Sequence, residues 1–231
     1  MKKHLLIGLA AIAASSISVS SHAAPQLRLS DGINTVTVTD GGAGDASALA
    51  GVVIFQGSVG DFLVNVTTGI TKPVLGTPAD PVLDLNSIDV TGTAGGVLTV
   101  EFTETDFFSG GALVNFVTQI GGVTADTVQF EHFASTTNTG FATDVSVFDS
   151  GNVSGVIAYA DTTQTALTGL YSLTTVATVT HASGGQNSSF NSVLESGFGP
   201  TTDIPEPALA PSLLIGGMVL AGRLIGRRRK A

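Results

Sequence analysis

Along most of this chain apolar and polar residues alternate with a period of two. In the stretch Val97-Leu98-Thr99-Val100-Glu101-Phe102-Thr103-Glu104, the residues Leu98, Val100 and Phe102 fall on one face and Thr99, Glu101 and Thr103 on the other. That is the signature of a strand with one face in a core and one toward water. The same alternation recurs at Leu27/Leu29, Val36/Val38, Phe62/Val64/Val66, Val128/Phe130 and Val145/Val147. Residues 51–56 and 153–160 are more continuously apolar, which predicts central strands. Turn residues punctuate the runs at Asp31-Gly32, Asp40-Gly41-Gly42, residues 77–81, Gly95-Gly96, Gly110-Gly111, Gly121-Gly122 and Ser150-Gly151. Roughly ten short strands with almost no helical periodicity predict an all-β fold, an antiparallel β-sandwich of jelly-roll or immunoglobulin-like type. No fixed-length repeat is present, so a solenoid is the lesser reading. Residues 24–182 form one expected domain. From residue 183 to 203 the pattern dissolves into Ser, Gly and Asn, which predicts a stalk. The lesser alternative is a last edge strand through Phe190, Val193 and Leu194.

The two ends break the pattern. Lys2-Lys3, an apolar core at residues 5–14, and the close Ser21-His22-Ala23 have the order of a secretory signal peptide cut after Ala23. At the other end stand Pro205-Glu206-Pro207, an apolar run from residue 208, and the cations Arg227, Arg228, Arg229 and Lys230, with Arg223 one turn earlier. A helix needs ~20 apolar residues to cross a bilayer core. Residues 208–225 supply 18 positions with Arg223 as the only charge, and an Arg so near the end snorkels toward the headgroups. The closing cations act as a stop-transfer signal and keep the C-terminus inside. The two prolines hold an extended strip above the membrane, within reach of a protease. A plain single-span anchor is the simpler alternative.

Ile-Pro-Glu-Pro, a short Leu/Gly/Ala-rich run and a terminal Arg cluster together resemble the PEP-CTERM sorting signal of Gram-negative bacteria. The resemblance covers residues 204–231, 28 of 231. Pro211 inside the apolar run and Arg223 before the main cluster depart from the pattern. The resemblance implies transient anchoring in the inner membrane and processing at Pro205, Glu206 and Pro207 by an exosortase. Cell-surface or matrix localisation and an association with extracellular polysaccharide in biofilms follow from it.

Removing both ends changes the charge. Only Arg28 and Lys72 remain between residues 24 and 203, against 17 carboxylates, a net of −15. Such a polyanion repels phosphate backbones and has no basic stripe, so nucleic acid is excluded as a partner. Divalent cations and neutral or cationic polysaccharides stay open. The chain has no cysteine, so an exported domain of this size holds its fold without disulfides.

Few residues carry recognisable chemistry. There is no Cys nucleophile, G-x-S-x-G, H-E-x-x-H or complete phosphate loop; Gly42-Ala43-Gly44 reads as a turn. His132 shares the parity of Val128 and Phe130, which predicts a partly buried, hydrogen-bonded ring. With His181 it is one of two histidines outside the signal peptide, and a single imidazole is not a metal site. Glu104 and Asp106, two apart on a strand, would sit ~6.6 Å apart on one face, a spacing that suits an inverting glycosidase. Asp80, Asp84, Asn86 and Asp89, or Asp40 with Asp45, offer oxygens to calcium, though no spacing matches a calcium loop; weak, distributed Ca2+ binding is the expectation and no other cofactor is implied. Sugar platforms are scarce: no Trp, only Tyr159 and Tyr171 as Tyr, leaving loops such as Phe107-Phe108. Two readings stand. The favoured one is a non-enzymatic surface or matrix protein, and the other an exported polysaccharide hydrolase with Glu104 and Asp106 as its acids.

Overall fold

The computed structural model describes residues 23–197, apart from Ala112 and the side chain of Val66. The expected signal peptide ahead of Ala23, the motif Pro205-Glu206-Pro207, the span 208–225 and the cations Arg223, Arg227, Arg228, Arg229 and Lys230 lie outside the described residues. Within them the chain is all-β. The strands are β1 (Gln26–Ser30), β2 (Thr35–Thr39), β3 (Val52–Val59), β4 (Phe62–Ile70), β5 (Val82–Gly92), β6 (Gly96–Ser109), β7 (Val114–Ser135), β8 (Val145–Thr165), β9 (Gly169–His181) and β10 (Asn187–Gly197).

Every pairing is antiparallel, in the order β2-β1-β6-β9-β7-β10-β5-β4-β3, with β8 on β7. β7 explains how one ladder makes two layers. Its residues 115–124 pair with β10, its residues 127–135 pair with β9, and β8 follows it along both halves. The register shifts between Thr124 and Thr127, where a bulge lets the ribbon turn a corner. One half of the ribbon completes the layer β2-β1-β6-β9 and the other completes β3-β4-β5-β10. The layers face each other across Gly69 of β4 and Phe102 of β6: a Cβ at Gly69 would lie 2.4 Å from the Phe102 ring.

The core follows strand parity. Leu27 and Leu29, then Leu98, Val100 and Phe102, then Val128 and Phe130 are all fully buried, as are Leu83, Leu85, Ile88 and Val90 of β5. Val38 and Val147 are buried as expected, while Val36 and Val145 are half-buried.

Three expectations are corrected. Residues 187–197 of the expected stalk form β10, and β10 is an interior strand between β5 and β7, not an edge. Its inward residues are Ser188, Phe190, Ser192 and Leu194; the two serines made a core strand read as a linker. The apolar run 153–160 lies in β8, which pairs on one side only, and its Val156 is 83% exposed. Residues 51–56 enter β3, at the end of the strand order. In β8 the unbroken apolar character reflects small β-formers on an edge, whereas in β3 the adjacent Val52 and Val53 are both buried although the strand ends the order.

Candidate functional site

The acidic pair does not form as strand spacing implies. Glu104 carries the parity of Leu98, Val100 and Phe102, so it points into the core and is 1% exposed. Beyond it the pairing of β6 with β9 slips between Glu104 and Phe107. Asp106 adopts a left-handed backbone (φ 60°) in that bulge, which re-aims its side chain and breaks the common face. Asn138, also left-handed (φ 53°), pins Asp106: its Nδ2 donates to Asp106 Oδ1 at 2.6 Å, and Asp106 N–H donates to Asn138 Oδ1 at 2.8 Å.

Glu104 instead meets Lys72, from the loop leaving β4. Nζ lies 3.2 Å from Oε1, with both side chains almost fully buried. Lys72 Nζ also donates to the Thr105 carbonyl and sits 4.0 Å from the centre of the Phe107 ring, a cation–π geometry. Burial pushes the Glu104 carboxyl up to about 7 in spite of the ammonium beside it, and burial lowers the Lys72 amine. Glu104 Oε2 has no hydrogen-bond partner among the described residues. Lys72 carries no recognisable motif; the signal for it was a lone lysine in a strongly anionic domain.

Behind this pair the core opens to a groove. Phe107 lies 6.0 Å from Tyr171, ring centre to ring centre, and Tyr171 forms the floor of a concavity of about 430 Å³ lined also by Asp80, Phe108, Leu113, Asn115 and Ser196. The loop 71–81 is tied to the bulge by Phe108 N–H donating to the Pro78 carbonyl at 2.7 Å. Phe108 presents an exposed ring, and burial pushes the Tyr171 phenol up to about 12, with Asp80 adding to it. An aromatic face beside amide, hydroxyl and carboxylate groups is the composition that holds a neutral ring-shaped ligand.

The other candidates have structural employment. His132 is fully buried, Nδ1 3.0 Å from Thr118 Oγ1 and Nε2 2.7 Å from Ser192 Oγ. Burial takes its pKa down to about 3. His181 sits 2.9 Å from Ser188 Oγ through Nε2. Asp45 accepts from the N–H groups of Gly41, Ser47 and Ile54, and Asp40 from that of Gly51; these carboxylates knot the β2–β3 loop. Asp84 accepts from Asn86, and Asp89 from Asn65 and Asn187. Asp80 is exposed at the groove. Among the described residues no group of three or more His, Asp or Glu is arranged to hold a metal ion.

The arrangement defines an antiparallel all-β domain with a shallow aromatic-edged groove. No family model matches the chain, and no curated protein matches it. Among solved structures, the isomalto-dextranase of Arthrobacter globiformis T6 complexed with panose is similar at 13% identity with a TM-score of 0.23, over 76% of this chain and 30% of that one. A likeness of that size carries nothing about activity.

Proposed function

We propose that this chain is an exported, non-enzymatic cell-surface or extracellular-matrix protein of a Gram-negative bacterium. It enters the export route through residues 1–23 and is held in the inner membrane by residues 208–225. An exosortase then processes it at Pro205-Glu206-Pro207, and the released domain associates with exopolysaccharide. The observation that supports a non-catalytic domain is the state of Glu104. A glycosidase needs its acid facing a cleft and its partner across the scissile bond. Glu104 faces the core and is matched to Lys72.

A weaker second reading is favoured by the exposed Phe108 ring at the mouth of the groove: a low-affinity contact with neutral sugar rings, in keeping with a protein embedded in polysaccharide. The sorting reading is tested by intact-mass analysis of the extracellular protein and of the Glu206→Ala variant. Loss of Arg227 to Lys230 from the external form, with accumulation of a tethered precursor in the variant, is expected. An external form that retains those cations makes the segment a plain anchor. Turnover of soluble polysaccharide by the purified domain would restore the hydrolase reading.

A further inference from the structure

The domain carries two cations against 17 carboxylates, and the fold treats them differently. Arg28 lies on the outer face of β1, where its Nη2 donates to Glu101 Oε1 at 2.7 Å and its guanidinium stacks on Phe141. Lys72 is withdrawn into the core, 5% exposed, and placed against a carboxyl that is also buried. A buried ion pair recovers little of its desolvation cost, so an anionic surface protein gains nothing obvious by hiding one of its two positive charges. The arrangement has another use.

We propose that Lys72 and Glu104 become joined by an amide bond from Nζ to Cδ, a covalent staple between the loop leaving β4 and strand β6. The nitrogen stands 3.2 Å from Oε1, an oxygen bonded to the carbon it would attack, and reactants held together in this way react with a large effective concentration. Burial lowers the amine and raises the carboxyl, so passing the ammonium proton to the carboxylate yields a free amine and a carboxylic acid with no outside reagent. The amine lone pair then adds to Cδ. The C–OH bond breaks, the hydroxyl takes a proton from nitrogen and leaves as water, and no oxidant or reductant is involved. The Phe107 ring covers the nitrogen at 4.0 Å, and the burial of the Glu104 side chain keeps bulk water from the acyl carbon. The amide keeps one N–H, which continues to donate to the Thr105 carbonyl that now receives Nζ. It loses one carboxyl oxygen from a site where Oε2 has no partner among the described residues. A cysteine-free exported domain thereby acquires the cross-link that a disulfide supplies elsewhere, restricting its unfolded state in the same manner.

The test is the mass of the full-length protein under denaturing conditions, followed by peptic mapping, since trypsin does not cut the Lys72–Pro73 bond. The expected result is a mass lower by one water and a peptide containing Lys72 joined to one containing Glu104. Water loss through a succinimide at Asp31-Gly32 or Asp40-Gly41 gives the same intact mass but no joined peptide, and overturns the proposal. So does the unmodified mass with both peptides linear after prolonged incubation at neutral pH, or a junction mapped to Asp106. The double variant Lys72→Met/Glu104→Leu, which removes both buried charges together, should keep the fold and show the full sequence mass. It should also melt at a lower temperature than the wild type.

Discussion

His132 should make this domain lose stability on mild acidification, by an amount the structure sets. The ring lies wholly inside the sandwich, between Thr118 and Ser192 and 5.6 Å from the Phe148 ring, and burial depresses its pKa to about 3. A neutral imidazole donates from one nitrogen and accepts at the other, so the two hydroxyls satisfy it fully; an imidazolium would have no anion to meet. The unfolded chain binds the proton near the ordinary value of about 6.5. The folded chain resists it, so the contribution is present above that value and disappears as pH falls toward 3. At about 1.4 kcal/mol per unit, the full term is about 5 kcal/mol, of which about 2 kcal/mol is lost between pH 7 and pH 5. His181, also lowered by burial, acts in the same direction, whereas Asp84, Glu131 and above all Glu104, raised by burial, act oppositely over the same interval. The contribution of His132 is therefore read as a difference. Denaturant midpoints of the wild type and of His132→Gln, which keeps a donor and an acceptor but does not titrate, should diverge in their dependence on pH by about 2 kcal/mol over that interval. Parallel profiles, or an NMR titration of His132 near the ordinary imidazole value, would refute the reasoning.

Gly69→Ala should destabilise the domain by about 1–3 kcal/mol, the usual cost of overpacking, because the new methyl meets the Phe102 ring that joins the layers; an unchanged melting temperature would mean the layers separate easily there. Val156→Lys, on the outer face of the one-sided strand β8, should leave stability within about 0.5 kcal/mol and reduce association at high protein concentration, since a lysine blocks edge pairing; light scattering checks it. Calcium should raise the melting temperature no more than sodium at matched ionic strength, because Asp40 and Asp45 already hold backbone N–H groups. A larger shift with calcium would require a specific site.

The strands that alternate cleanly were legible in the sequence, because the inward face of each carries a consecutive apolar series: Leu27 with Leu29 in β1, and Leu98, Val100 and Phe102 in β6, ahead of Glu104. β10 was not, because its core face reads Ser188, Phe190, Ser192, Leu194, and the two serines are buried only because His181 and His132 wait for them on β9 and β7. A hydroxyl whose partner is 60 residues away in the chain leaves no local trace. The inward aim of Glu104 was readable from its parity with Phe102. Its partner Lys72 was not, and neither was the bulge at Asp106 that separates the two acids. The groove is harder still, assembled from Asp80, Phe108, Asn115, Tyr171 and Ser196 on strands and loops that meet only when the sandwich closes.

The misread stalk bears on the sorting reading more than any other difference. A flexible connection from residue 183 would reach ~75 Å to Pro205, at ~3.3–3.6 Å per residue. With β10 inside the sheet the described residues run to Gly197, and the eight steps from there to Pro205 reach at most ~29 Å. Gly197 pairs with Asn115 at the start of β7, and Asn115 and Ser196 both line the groove. The last described residue thus lies at the end of the domain that carries the groove. In the proposed membrane-held form Gly197 would lie within ~29 Å of the Pro205-Glu206-Pro207 strip. A protease cutting at that strip would therefore work close against the groove end of the domain.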